Sequence, residues 1–493
     1  MKKMISENGK ESREKSDKKG KRSDSNLQAE LRSNDRITPY GGLGAVKMLV
    51  QRLGLRAAID KRLTLFKQYH DDYTESTHIM TSVQSMVAGG TKLISINDIR
   101  NSQGTQRMDK TPQTVAPTTM GDTLHRFTEE DIWKLQEINL ETCSRVWEHC
   151  RSKHKKGEIF TVDTDSSVKH VYGNCFEGAD FTYKNGFGYH PEYVTRAETG
   201  ETLMVQNRSG SAKSGSGVSA LLERVYPTVA KHFHRIRHRG DTKYGKKEII
   251  QTDEKYGVTF YLGYDSCGSL IEAAEEKPDS EWVEMPLKPA EKRRKRKTRK
   301  KRAKQKQYRR KKVREREFKD EQTVARHVSE LVYTPSWSDK PYRMIVVRSN
   351  REIHKGETFL FGKYEYYFII TSDRRGSALT VATIYFQRDN QENIFKQIKH
   401  ETGGLWMPSK TLLANWAWMT ISALAWNIKS WICQLGFKQG LRWMWNRFCR
   451  ELILITAEVT KGSRQVKVYV NDSHRYAGVL VNLINEFAGL KFP

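Results

Sequence analysis

The stretch YFQRDNQENIFKQIK, Tyr385 to Lys399, decides how the rest of the chain is read. It carries Tyr385, Arg388, Glu392 and Lys399 at offsets of 0, 3, 7 and 14. At ~100° per residue in an α-helix, these four fall within about 60° of one another, and Ile394 and Ile398 fall roughly opposite. The spacing therefore predicts one helix with an apolar back. Its polar front joins a carboxylate, two cations and a phenol. A solvated surface helix also pairs opposite charges at i,i+4, as Arg388 and Glu392 would. The catalytic reading needs further carboxylates from elsewhere in the chain.

The 493 residues suffice for two to four domains with a full core. Lys plus Arg is 86 against 58 Asp plus Glu, a net charge of +28. Such an excess points to a polyanionic partner, most often nucleic acid. A membrane surface is the competing partner, but the most apolar uncharged run, residues 411–428, contains Asn415, Thr420, Ser422 and Asn427. It reads as a buried helix rather than a span. No apolar stretch follows the N-terminal lysines, so no signal peptide is expected. Six scattered cysteines with no C-x-x-C pair suggest neither zinc nor redox work. The chain reads as cytoplasmic.

Residues 1–36, rich in Lys, Ser, Glu and Asp, read as a disordered basic tail. Apolar residues at three- and four-residue spacing then predict a helical region over 37–150, for which DNA binding is one reading and plain core packing the other. From Gly157 the period changes. EIFTVDTD, GFGYHPEYVTRAE and GETLMVQNRSG read as strands, the last two joined at Thr199-Gly200. Helix VSALLERVYPTVAK, strand HRIRHRGD, helix KKEIIQTDEKYG and strand VTFYLGY follow, so residues 151–264 predict a mixed α/β sheet. Residues 265–370 read as an insertion containing the strands RMIVVRSNRE and YEYYFIITSD and a basic arm, 292–316. That arm has 18 Lys or Arg among 25 residues, with Glu315 the only acid. So dense a run suits phosphate contact, sensitive to salt. Residues 371–430 would complete the core, and 431–493 read as a C-terminal helical region. The Trp cluster there reads as packing rather than a base-stacking platform.

A two-metal phosphoryl-transfer site needs carboxylates from separate elements around two Mg²⁺ ions about 3.5–4 Å apart. Strand-end acids are the candidates. Asp163 and Asp165 end the first strand on one face, and Asp241 ends HRIRHRGD. The competing role for each is a turn or helix cap.

The spacing Tyr-x2-Arg-x3-Glu-x6-Lys resembles the Tyr-Arg-Glu-Lys signature of bacterial insertion-sequence transposases with an Asp-Asp-Glu site. VDTDSSVKHVYGNCFEGADFTYKNGFGYHP resembles the first-aspartate block of the insertion-sequence group numbered 1380, in the superfamily numbered 4. Asp165 takes the aspartate position before Ser166-Ser167, with Tyr172-Gly173 and Gly188-Tyr189-His190-Pro191 in place; Asp163 is the alternate. RGDTKYGKKEII resembles the second-aspartate block, placing it at Asp241, with Thr242 and Tyr244 where the family has Ser and Phe.

The resemblance implies an α/β fold with a ribonuclease-H-like mixed-sheet catalytic core, a helical N-terminal domain and an inserted β-containing, basic segment. It implies that Asp165, Asp241 and Glu392 bind two Mg²⁺ ions, with Mn²⁺ able to substitute. Tyr385, Arg388 and Lys399 would contact DNA phosphates. The implied chemistry is cleavage at the element's inverted-repeat ends and joining of the 3′-hydroxyls to target DNA. It also implies a homodimer in the synaptic complex, no membrane partner, and a bacterial, nucleoid-associated location. Trp282 or Trp337 could wedge against a displaced base. The alternatives are a DNA-binding relic, a metal-dependent nuclease without strand transfer, or a structural basic protein.

Overall fold

The computed structural model describes residues 34–66, 73–108, 114–150, 158–173, 175–287, 320–355, 358–463 and 465–492. Most of the expected N-terminal tail and the whole basic arm 292–316 lie outside them.

The architecture is mixed α/β, built on one large mixed sheet. Its centre is β1 (Ile159–Ser166), whose run IFTVDTDS is buried over five successive residues, the signature of a strand covered on both faces. On one side β1 pairs antiparallel with β2 (Glu192–Arg196), which pairs with β3 (Thr202–Gln206). On the other it pairs parallel with β4 (Arg235–Gly240), which pairs parallel with β5 (Thr259–Tyr264). The crossovers are helices α6 (Val218–Ala230) and α7 (Lys247–Lys255). The spatial order of these five strands is β3-β2-β1-β4-β5.

The inserted segment continues this sheet. Strands β6 (Asp320–Tyr333), β7 (Tyr342–Lys355) and β8 (Thr358–Thr371) form an antiparallel meander of 14-residue strands, and β8 pairs with β5 over Phe368–Thr371. With Val283–Glu284 at the far edge the sheet has nine strands. The sequence reading found β7 and β8 but not β6. Its DEQTVARHVSELVY intersperses charges among short apolar residues, so its period is weak.

The helical N-terminal stretch comprises α1 (Leu43–Arg52), α2 (Leu55–Arg62), α3 (Glu75–Val87), α4 (Pro117–Arg126) and α5 (Glu129–Cys150). The expected stripe helix is two helices, α8 (Ala378–Phe386) and α9 (Asp389–Lys396), followed by a π-helical turn over Gln397–Glu401. The long apolar helix α10 (Leu412–Leu435) is buried from Ala414 to Gln434. It packs on α3, α5 and β3, and among the described residues no helix is long and apolar enough to cross a membrane. Trp418, Trp431 and Trp445 are fully buried, so the Trp-rich region is core. The C-terminal stretch is not all helical. Ala457–Lys461 and Val466–Val470 form a hairpin that adds Ile37–Thr38 as a third strand, before α11 (Ala477–Gly489). The alternation in VKVYV is too short to outweigh the amphipathic run before it.

Strand β3 is an edge, and an uncovered edge invites pairing with another chain. Side chains of α5 and α10 occupy its free backbone groups. Gln136 Oε1 accepts the Val205 N–H at 2.7 Å, and Trp416 Nε1 donates to the Val205 carbonyl at 2.7 Å. Asn427 Oδ1 accepts the Thr202 N–H and its Nδ2 donates to the Thr202 carbonyl, both at 2.8 Å. Asn427→Leu leaves the buried Thr202 N–H without its acceptor and leaves the carbonyl with only the Asn139 Nδ2 donor at 3.0 Å. It should lower the unfolding free energy by about 2–4 kcal/mol in denaturant titration. A change within about 0.5 kcal/mol would show that the edge is held without it.

Candidate active site

The register of β1 and β4 pairs Asp163 with Arg239. Asp165 lies two residues beyond Asp163 on β1, Asp241 follows the last residue of β4, and the charge of Asp241 bears on Asp165. Both sit at the C-terminal ends of the central strands. Asp165 is largely buried, with Oδ1 accepting its neighbour's N–H, that of Ser166, at 2.8 Å. Burial pushes its pKa up to about 6; Arg388 and Lys399 oppose the shift, and the charge of Asp241 adds to it. Asp241 Oδ1 accepts the Lys243 N–H at 2.8 Å, so it does form the turn that the bland reading assigned to it. A buried carboxylate whose ionisation a neighbouring carboxylate opposes is, with that neighbour, a donor set suited to a shared cation.

Arg388 Nη1 lies 3.7 Å from Asp165 Oδ2. Lys399, on the π-helical turn, is also close enough to feel Asp165. Burial lowers its pKa to about 8, with Lys184 adding to the depression and Asp165 and Glu392 countering it. Tyr385 is buried, and its hydroxyl approaches Gly263 and Thr242. A Cβ at Gly263 would lie 2.7 Å from Tyr385 Oη and 2.5 Å from the Thr242 nitrogen, so glycine permits this approach. The structure thus gathers Asp165, Asp241, Arg388, Lys399 and Tyr385 at the ends of β1, β4 and β5. Glu392 is exposed on α9, and among the described residues no three His, Cys, Asp or Glu cluster closely enough to hold a metal ion. The two aspartates fit a cation; Glu392 stands apart from them in this arrangement.

Asp163 has a different partner. Arg239 Nε and Nη2 donate to its two carboxylate oxygens, each at 2.7 Å, inside the sheet. The third guanidinium nitrogen, Nη1, donates to the Ile384 carbonyl at 3.1 Å. In an unbroken helix that carbonyl would accept the Arg388 N–H. Instead, the Arg388 N–H turns to the Tyr385 carbonyl at 3.1 Å. This tight turn interrupts the helix at residues 387–388 and swings Arg388 towards Asp165.

Sequence reasoning missed a buried group behind the site. Glu192, opposite Ser166 across the β1–β2 ladder, is wholly buried. Tyr244 Oη donates to its Oε1, and Arg208 Nη2 lies 2.8 Å from its Oε2. Burial pushes the Glu192 pKa up to about 7 despite Arg208. Tyr244 is therefore more than a substitute for Phe, because its hydroxyl carries a buried bond. His190 Nδ1–H donates to the Ala212 carbonyl at 2.7 Å, and burial holds its pKa below the usual value. Glu192 begins a strand buried at all five positions, which the sequence alone does not signal. Trp282 is buried with Arg348 stacked on it, and Trp337 packs on the core, so neither stands at the site.

A profile of the family described as Transposase DDE domain group 1 matches residues 21–491. The chain belongs to that family. Among solved structures, a cryo-EM structure of a piggyBac transposase synaptic complex with hairpin DNA aligns with 84% of this DDE transposase and 79% of that chain. The identity is 10% and the TM-score 0.39. A comparison with curated proteins gives no match.

Because the folded pKa of Asp165 is raised, the native state holds this proton more tightly than the unfolded chain does. Stability is lost as pH rises from about 4 to about 6. Asp165→Asn escapes that loss. In chelator-treated buffer the variant should gain on the wild type by on the order of 2 kcal/mol between pH 4 and pH 7, read by denaturant unfolding. A difference that does not change with pH would contradict the burial of this carboxylate.

Proposed function

We propose that this transposase moves an insertion sequence of the 1380 group. In this reading it binds the terminal inverted repeats, cleaves DNA at the element ends and joins the 3′-hydroxyls to target DNA. The observation that carries the reading is that Asp165, at the end of β1, feels the charge of Asp241, which follows the adjacent parallel strand β4, with Arg388 and Lys399 beside them. Asp165, Asp241 and Glu392 would hold Mg²⁺, which supplies charge neutralisation at the reacting phosphodiester. A bound cation also removes the penalty that burial and Asp241 place on ionised Asp165. Glu392 is the ligand drawn in when DNA and cation bind. Arg388 offers a planar fork for a backbone phosphate once the cation relieves it of Asp165. Lys399, with a pKa of about 8, is charged at neutral pH and suits a second phosphate contact. Tyr385 orients through its hydroxyl beside Thr242. Two subunits would act together on the paired ends, in a bacterial nucleoid.

The test gives purified protein labelled DNA from beside its own gene, with Mg²⁺ and a target plasmid. Wild type should join ends to target. Glu392→Gln should bind equally well and cut slower by roughly a hundredfold or more. Cutting without joining would mark a nuclease, and binding without cutting by either protein would mark a relic; each outcome overturns the reading.

A further inference from the structure

Between β1 and β2 the chain leaves the main sheet and builds a small one of its own. Lys169–His170, Gly186–Tyr189 and Asp180–Thr182 lie side by side in that order, antiparallel. Its base is fastened to the segment before α10. Tyr189 Oη donates to the Glu177 carbonyl at 2.7 Å, the Glu177 N–H donates to the Lys410 carbonyl at 2.8 Å, and Glu177 Oε2 accepts the Leu412 N–H at 3.0 Å. At its tip Asn185, with φ 54°, closes a tight turn by donating its N–H to the Thr182 carbonyl at 3.1 Å. The flap is therefore held in place at its base and closed at its tip.

Yet three aromatic rings on it face water: Tyr172 is 94% exposed, Phe181 75% and Tyr183 66%. Scattered exposed apolar residues are ordinary, but three large rings on one anchored small sheet make a patch that calls for an occupant. The patch adjoins the site. The Tyr183 ring leans on His190 with centroids 5.4 Å apart, and His190 lies within the field of Asp241. Cations interleave the rings. The Lys184 ammonium lies 5.5 Å from the Tyr183 centroid and within electrostatic reach of Lys399, and Lys169 similarly bears on His400.

We infer that this flap is a stacking platform for unpaired DNA bases at the strand end held between Asp165 and Asp241. Exposed rings flanked by Lys169 and Lys184 match a single strand, whose phosphates need cations and whose base faces are open to stack. A duplex hides those faces, so the platform distinguishes an opened DNA end from an intact one. The inference rests on the transposase reading and adds to it the form of DNA the site takes.

Binding is measured with chelator present, so that no cleavage intervenes. The probes are a blunt duplex of arbitrary sequence and the same duplex with a short unpaired 3′ extension. Wild type should favour the extended duplex. The triple variant Tyr172→Ala, Phe181→Ala, Tyr183→Ala should lose that preference, its affinity for the extended duplex falling roughly tenfold or more while the blunt duplex is little affected. Tyr172→Phe with Tyr183→Phe keeps the rings and should keep the preference. Equal weakening on both probes, no preference in wild type, or a ring-dependent change in self-association without DNA would each overturn the inference while leaving the transposase reading intact. If wild type binds neither probe, this inference falls, and the assay with DNA from beside its own gene decides the transposase reading separately.

Discussion

A buried guanidinium governs the geometry described here. Arg239 neutralises Asp163 through two hydrogen bonds of 2.7 Å and spends its remaining arm on the Ile384 carbonyl. Either charge alone would be costly inside the sheet, and the pair is tolerable because the donors meet acceptors in a bidentate fork. The consequences reach further than local stability. The clamp joins the first strand, the fourth strand and α8. By taking a helix carbonyl it imposes the tight turn from which Arg388 reaches Asp165. Asp165 lies two steps further along the first strand, and Asp241 follows the end of the fourth. Asp163 and Asp165 thus share one face of the strand, the inner one paired with Arg239 and the outer one beside Arg388.

Around this centre the molecule is arranged to keep the strand ends fixed. Side chains of α5 and α10 close the β3 edge, and the inserted meander covers the β5 edge by direct pairing with β8. Behind Asp165, at the level of Ser166, buried Glu192 accepts a hydrogen bond from Tyr244 and forms an ion pair with Arg208. A sheet closed on both sides and braced beneath leaves its C-terminal strand ends as the place where charged groups meet solvent. The π-helical turn that carries Lys399 is a further local distortion, of the kind that gathers at functional sites.

Much of this was legible in the sequence, for identifiable reasons. The core strands and helices alternate with clear changes of period, so β1, β3, β4, β5 and their crossovers fall where patterning puts them, whereas the single strand expected over GFGYHPEYVTRAE divides at His190-Pro191 between two sheets. Asp165 and Asp241 stand out because each ends a strand. Arg388 and Lys399 stand out by spacing along one face. The remainder depended on contacts between residues far apart in the chain. Nothing local distinguishes Arg239 from the other cations of RIRHRG, and its partner lies 76 residues earlier. The break between α8 and α9 follows from that same distant capture of a carbonyl, so helical periodicity alone predicted one continuous stripe. Glu192 reads as an ordinary polar residue until Tyr244 and Arg208 arrive from other elements.

The proposed site holds its two divalent cations between the ends of β1 and β4 and the helix after the clamp. Fe²⁺ substituted for Mg²⁺, with ascorbate and peroxide, cuts a polypeptide close to wherever the ion sits. On this account, with DNA bound, the cuts fall around Asp165, Asp241 and Glu392 and are suppressed by excess Mg²⁺. Cuts confined to other parts of the chain, or none that Mg²⁺ suppresses, would contradict it.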